Sequence, residues 1–78
     1  MNFQEIQTLD RGAVMPTYGR FAVALDHGKG ATAVDTQGKE YIDFGSGIGV
    51  NSLGYAYPAW AKAVADQAAA LQHTSNLY

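Results

Sequence analysis

The spacing of apolar residues predicts a helix at each end of the chain and a strand-rich segment between them. Near the start, Phe3, Ile6 and Leu9 recur at helical spacing and Gly12 follows as a stop signal, which predicts a short first helix. A longer helix is predicted over residues 58–72, where apolar side chains recur at the spacing of an amphipathic helix. Each helix should therefore present one apolar stripe.

The second helix has the stronger pattern. Trp60, Val64, Ala68 and Leu71 form its apolar stripe. The segment is rich in alanine, which has the highest helix propensity and allows close packing. It begins with Pro58, which suits a first turn because the missing N–H has no helical partner there. These features predict an amphipathic helix built to pack closely against another surface.

Between the helices, short alternating segments predict three strands. Phe21, Val23 and Leu25 share one face of the first, and Ile42 and Phe44 share one face of the third. Because the strands follow one another through short turns, an antiparallel meander is the simplest arrangement. The predicted order is strand 21–25, turn 26–30, strand 31–34, turn 35–38 and strand 39–44. The fold class is therefore α+β, with a three-stranded antiparallel meander, one long helix and a short N-terminal helix.

These elements divide the chain into an ordered series. The segments are the N-terminal helix and connector 1–20, the meander 21–44, a glycine-rich loop 45–57, the helix 58–72 and the start of another loop at 73–78. Only 15% of residues are charged, against about 25% in a typical domain. We therefore expect an incomplete domain with much of its surface covered by something else, while a sparsely charged small domain is the alternative.

Charge and composition exclude several classes of protein. The net charge is −2 and the five basic residues are scattered singly, so no basic patch for nucleic acid is expected. No apolar run approaches the length of a membrane span, so we expect no membrane partner. The chain has no cysteine, which removes disulfides and thiolate metal sites and favours a cytoplasmic location.

The glycine run Gly45-Ser46-Gly47-Ile48-Gly49 is the first candidate for a ligand-binding feature. Its spacing does not match a dinucleotide-binding fingerprint, and no Gly-Lys-Ser/Thr follows as a P-loop requires. A backbone of this kind can approach another group closely. A loop leaving a strand with no ligand explains the same residues, so both interpretations stay open.

No catalytic set is evident among the ionisable residues. His27 and His73 lie far apart and neither has a partner at metal-ligand spacing. Glu40 and Asp43 are three apart on a predicted strand and so face opposite sides. The lysines are expected to be solvated, whereas a Schiff-base lysine must be desolvated. We therefore predict no catalytic, cofactor-binding or metal-binding residue within this chain.

Four segments of the chain together resemble a known family. Thr17–Val23, Gly38–Phe44, Ser46–Gly54 and His73–Tyr78 resemble, in order and with the expected gaps, the N-terminal region of class III pyridoxal-phosphate aminotransferases. The resemblance extends over residues 14–78. The ending His-Thr-Ser-Asn-Leu-Tyr favours the branch that acts on N-acetylornithine.

The family commonly has histidines where this chain has Tyr55 and Tyr57, which bears on the branch more than on the family. The resemblance implies a longer homodimeric enzyme that uses pyridoxal 5'-phosphate. It would transfer the δ-amino group of N-acetylornithine to 2-oxoglutarate in arginine biosynthesis. Relatives acting on 4-aminobutyrate, succinylornithine or ornithine are the alternatives within the family.

In such enzymes the cofactor lysine and the other catalytic groups lie downstream of the region that this chain resembles. We therefore expect the segment alone to be inert and to bind no cofactor, with the rest of its own polypeptide as its first partner. A free-standing interaction module is the alternative from another class. The resemblance implies a substrate-side lining at Tyr18, Gly47 and Ile48, and a dimer-interface loop at Thr74, Ser75 and Asn76.

Overall fold

Two helices flank a small sheet in the computed structural model, which describes all 78 residues. The sheet is antiparallel with the strand order β1-β2-β3, so the predicted α+β meander is confirmed. The elements are α1 Phe3–Ala13, β1 Leu25–Lys29, β2 Thr32–Asp35, β3 Glu40–Ile42 and α2 Pro58–Ala70.

Helix α1 begins with a capping box. The Asn2 side chain accepts a hydrogen bond from the Glu5 backbone N–H at 2.8 Å, and the Glu5 carboxylate accepts one from the Asn2 N–H at 3.4 Å. The helix ends at Val14, which is extended. Arg20 donates to the Asp10 carboxylate at 2.5 Å and ties the following connector back to the helix. The predicted short first helix is therefore confirmed, but the predicted stop at Gly12 was wrong, because Gly12 lies within the helix.

The sheet is built from two tight hairpins. Lys29 pairs with Thr32, which leaves Gly30 and Ala31 as a two-residue loop, and Gly30 has a φ of +59°. A positive φ at this position is typical of two-residue hairpins and favours glycine. In the central strand, Ala33 is 4% exposed and is the only buried residue of the chain. The core is thus one small side chain in the middle strand.

The prediction for the first strand was wrong in position. Strand β1 begins where the predicted strand was to end and runs through the predicted turn to Lys29. Gly28 lies inside it because the Tyr55 ring lies against this position, where a Cβ atom would be 2.8 Å from the Tyr55 Cγ. Phe21 is 91% exposed, and the Val23 N–H donates to its carbonyl in a tight bend. Pairing with β2 over residues 25–29 therefore places the strand later than the local alternation predicts.

The molecule has an unusually open architecture. Neither helix packs against the sheet. The accessible surface is 6953 Å², whereas a folded 8.3 kDa monomer exposes about 4,600 Å². The radius of gyration is 16.0 Å, against about 11.5 Å for a compact domain of this length. Every residue of α2 is exposed, as the sparse charge had suggested, while Phe3 and Ile6 of α1 are half-buried beside the connector. Neither helix is long and apolar enough to cross a membrane.

Candidate functional site

The glycine-rich segment forms a loop that leaves the sheet and returns to it, and residues 43–55 are called the clasped loop below. At its far end, Tyr55 donates its backbone N–H to the Gly30 carbonyl at 2.8 Å and accepts from the Gly30 N–H at 3.1 Å. Gly54 passes so close that a Cβ atom there would lie 2.9 Å from the Gly30 oxygen. The loop therefore ends against the β1–β2 hairpin.

The near end of the clasped loop is held by one carboxylate. Asp43 Oδ1 accepts hydrogen bonds from the backbone N–H groups of Gly45 at 2.8 Å and Ser46 at 2.9 Å. The other carboxylate oxygen accepts the Tyr55 hydroxyl at 2.6 Å. This Asp43–Tyr55 contact, called the clasp below, joins the two ends of the loop across twelve residues.

The clasp also sets the protonation states of its two groups. The Tyr55 hydroxyl, together with the Ser46 and Gly45 amides, stabilises the charged carboxylate and lowers the pKa of Asp43 below its ordinary value. The same hydrogen bond raises the pKa of Tyr55, because ionising the hydroxyl would break the bond and place a second negative charge beside the carboxylate. Each group is therefore held in the form that the clasp requires.

We predict that order in the clasped loop is independent of pH across the neutral range. Because the pKa of Asp43 is lowered, this carboxylate stabilises the loop fully above its ordinary pKa. The stabilisation is lost as the pH falls through the lowered pKa of the folded state. Because the pKa of Tyr55 is raised, this hydroxyl stabilises the loop fully below its ordinary pKa. The stabilisation is lost as the pH rises through the raised pKa of the folded state. Amide hydrogen exchange over residues 44–54, corrected for the chemical rate, should stay flat from about pH 5 to about pH 9. A change of exchange protection with pH inside that window would contradict the assignment of the two pKa shifts to the clasp.

The tip of the clasped loop has a strained backbone. Four consecutive residues have a positive φ, namely Ser46 at 52°, Gly47 at 58°, Ile48 at 60° and Gly49 at 90°. A β-branched residue is disfavoured there, at a cost of about 1–3 kcal/mol. The Ile48 side chain is nevertheless fully exposed, at 101%. Because the conformation gains no packing within the chain, the isoleucine is suited to contact another molecule.

The remaining predicted site residues lie elsewhere. Tyr18 lines a cleft between α1 and the connector, and the residues lining that cleft include neither Gly47 nor Ile48. The structure thus brings Gly47 and Ile48 together at the loop tip and leaves Tyr18 apart from them. In the segment after α2, Thr74 and Asn76 are exposed and the half-buried Ser75 accepts from the Leu77 N–H at 3.1 Å. The roles of these residues stay predictions.

Sequence reasoning missed Asp43 and Tyr55. The sequence pattern relates Asp43 only to Glu40, and Tyr55 stands out only as a departure from the family pattern. A local signal existed for the aspartate, because an aspartate can accept hydrogen bonds from backbone amides two or three residues later, here those of Gly45 and Ser46. No local signal pointed to the tyrosine, whose partner is twelve residues away.

The residues of this chain do not fit a pyridoxal-phosphate site. A Schiff-base lysine must be desolvated, but all three lysines are exposed. Lys62 pairs with Asp66 at 2.5 Å, and the Lys39 ammonium lies 5.2 Å from the centre of the Tyr41 ring. No charged residue is buried, and no cluster of three or more histidine or acidic side chains could hold a metal ion. The tip of the clasped loop is exposed, and neither Gly47 nor Ile48 carries an ionisable side chain.

Comparison with known proteins was made for both sequence and fold. The family model "Aminotransferase class-III" matches residues 13–78. Acetylornithine aminotransferase of Haemophilus ducreyi is 49% identical over 78 residues, which make up 100% of this chain and 20% of that protein. The agreement therefore extends over both helices, the sheet and the clasped loop.

Solved structures share the same arrangement. Acetylornithine aminotransferase of Elizabethkingia anophelis matches with a TM-score of 0.86 and 29% identity, over 100% of this chain and 20% of that one. The ornithine aminotransferase of Toxoplasma gondii, with partial occupancy of PLP at its active site, matches with a TM-score of 0.84 and 31% identity, over 99% of this chain and 18% of that one. The chain thus spans about a fifth of the length of these relatives.

Proposed function

The chain belongs to the class-III aminotransferase family, and on this premise we propose that it forms the N-terminal segment of an N-acetylornithine aminotransferase. The complete enzyme would transfer the δ-amino group of N-acetylornithine to 2-oxoglutarate, a step of arginine biosynthesis. The observation that carries the proposal is the agreement along the whole chain with relatives named for acetylornithine. The uncovered apolar face of α2 supports it, because the rest of such an enzyme would cover that face.

In this proposal the clasped loop forms part of the substrate side of the active site. Ile48 offers an apolar contact to the aliphatic part of the amino donor, and Gly47 leaves room for close approach. Tyr18 adds a second lining position from the connector. Their role is packing and selectivity, since glycine and isoleucine provide no acid or base. Pyridoxal phosphate, which supplies the amino-transfer chemistry in this family, would be held by residues outside this chain.

The assembly and location of the enzyme are part of the same proposal. Class-III aminotransferases are usually dimers, and we place Thr74, Ser75 and Asn76 near the interface between two copies. The exposure of this segment, apart from half-buried Ser75, leaves it accessible to a partner. The cytoplasmic location expected from the cysteine-free sequence stays a prediction.

Ornithine is the second candidate substrate. It is favoured by the fold match to the ornithine aminotransferase of Toxoplasma gondii. The two candidates are separated by assaying the enzyme that carries this segment with each amino donor and 2-oxoglutarate. We expect kcat/KM to be highest for N-acetylornithine, compared with ornithine, succinylornithine and 4-aminobutyrate. A higher value for any of the other three donors would reassign the substrate within the family.

We predict that the 78-residue chain alone forms no stable aldimine with pyridoxal phosphate and catalyses no transamination. The physical reason is that all three lysines are exposed and none is held beside a second group that would retain the cofactor. One equivalent of pyridoxal phosphate is added near neutral pH, and the absorbance of the internal aldimine is followed. The complete enzyme serves as the positive control. Stable aldimine absorbance with turnover from the short chain would overturn the prediction.

A further inference from the structure

The chain contains two aspartate–tyrosine pairs built on the same plan. Asp35 Oδ1 accepts the backbone N–H groups of Gln37 at 2.8 Å and Lys39 at 2.9 Å, and its Oδ2 accepts the Tyr41 hydroxyl at 3.0 Å. Asp43 uses its Oδ1 for two following amides and its Oδ2 for the Tyr55 hydroxyl. The two pairs are therefore chemically matched and differ in what they enclose.

The first pair closes a short hairpin turn, which the flanking strands already hold. Asp35 and Tyr41 border the turn between β2 and β3, and the paired strands continue on both sides of it. The Asp43–Tyr55 clasp instead encloses a segment with no strand or helix of its own. Its ends are tied by the clasp and by the Gly30–Tyr55 backbone bridge. Only this second pair constrains the strained loop tip.

We propose that Asp43 and Tyr55 are positioning residues that hold Ile48 in its left-handed, fully exposed conformation on the substrate side of the active site. The proposal rests on the proposed function, because it assigns a purpose to the placement of Ile48. Neither residue touches the reacting atoms. Both act through the loop backbone, with Tyr55 anchored to the sheet at Gly30 and Asp43 holding the amides that lead into the left-handed run.

The exposed isoleucine explains why such a clasp is useful. A β-branched residue with a φ of 60° relaxes to an extended or helical conformation unless its surroundings prevent it. Three hydrogen bonds to one carboxylate supply that restraint, and bonds to a charged acceptor are among the stronger ones. Removing the tyrosine hydroxyl should therefore let the loop relax and withdraw Ile48 from the substrate.

The test compares Tyr55→Phe with Tyr41→Phe in the complete, cofactor-loaded enzyme. Each variant removes a tyrosine hydroxyl that donates to an aspartate, and leaves the aromatic ring in place. For Tyr55→Phe we expect KM for N-acetylornithine to rise roughly tenfold with kcat within about twofold, since an apolar contact made equally in the ground and transition states affects binding alone. Tyr41→Phe should leave both constants unchanged.

A double-mutant cycle tests whether Tyr55 acts through Ile48. If it does, Tyr55→Phe should add nothing to the KM of an Ile48→Ala enzyme, because the contact it positions is already lost. Full additivity of the two effects would overturn the proposal. An equal change in KM from Tyr41→Phe would also overturn it, by showing that any loosened hairpin has this consequence.

Hydrogen exchange keeps the test independent of the assigned substrate. Tyr55→Phe should speed amide exchange over residues 44–54 at least about tenfold, whereas Tyr41→Phe should affect only residues 35–41. If the wild-type enzyme transaminates another donor, that donor replaces N-acetylornithine in the kinetic arm and only the substrate assignment fails. If it transaminates none, the proposed function fails. Unchanged exchange over residues 44–54 in Tyr55→Phe overturns the clasp in every case.

Discussion

On its own, the 78-residue chain is expected to melt without a cooperative transition and to associate in solution. The expectation follows from how little of the chain is enclosed. Ala33 is the only buried residue, and neither helix packs on the sheet. Two-state melting requires a core whose contacts are lost together, and the packing of an amphipathic face supplies most helical stability in proteins. Here the apolar face of α2 is exposed along its whole length, and that of α1 is only half-buried beside the connector.

The surface areas show how little of the chain is buried. An unfolded chain of 8.3 kDa exposes about 12,000 Å², so the 6953 Å² of this structure corresponds to burial of about 42%. Even a 60-residue domain, which is itself marginal, buries about 60%. The exposed side chains include large apolar ones in every part of the chain, such as Phe21, Phe44 and Leu77. Exposed apolar area of this kind promotes association.

Circular dichroism, calorimetry and size-exclusion chromatography check this expectation together. We expect a broad, sloping thermal trace with no calorimetric peak, and elution that depends on concentration. The same residues within the complete enzyme should be protected from hydrogen exchange, which is the internal control. A compact monomer with a sharp melt would contradict the prediction and favour the alternative of a free-standing interaction module.

The sequence predicted the parts of the fold that depend on near neighbours. Helical spacing located both helices, and the Asp-Thr-Gln-Gly turn at residues 35–38 is present with the expected side-chain-to-backbone bonds and a Gly38 φ of +88°. These features depend on residues within four positions of one another. Hydrophobic period and turn chemistry are both signals of that range.

The features that could not be predicted depend on Tyr55. Its ring lies against Gly28, its backbone bridges Gly30, and its hydroxyl reaches Asp43. Each partner lies at least twelve residues away, beyond the reach of any local pattern. The positive φ of Ile48 could not be predicted either, since isoleucine does not adopt it from its own preference. Site residues were therefore harder to predict than elements.

Gly54→Ala is expected to open the clasped loop and to cost the complete enzyme most of its activity. Gly54 has a φ of +78°, which costs an alanine roughly 1–2 kcal/mol. The new Cβ atom would also lie 2.9 Å from the Gly30 oxygen and 3.0 Å from its Cα. These are backbone atoms of the hairpin loop, so no side-chain rotation relieves the overlap. The bridge between Gly30 and Tyr55 must shift or break.

Gly12→Ala provides the matched control within the same segment. Apart from its chain neighbours and the backbone of its own helix, no heavy atom lies within 4 Å of the position that its Cβ would occupy, and the residue is helical. Alanine in a helix stabilises by about 0.5–1 kcal/mol relative to glycine, so this enzyme should be unchanged or slightly more stable. For Gly54→Ala, a total cost of about 2 kcal/mol would lower kcat/KM roughly thirtyfold, with faster exchange over residues 44–54. Equal activity of the two variants would mean that the Gly30–Tyr55 bridge does not hold the loop, because a bridge this close cannot accept a methyl group at Gly54 without moving.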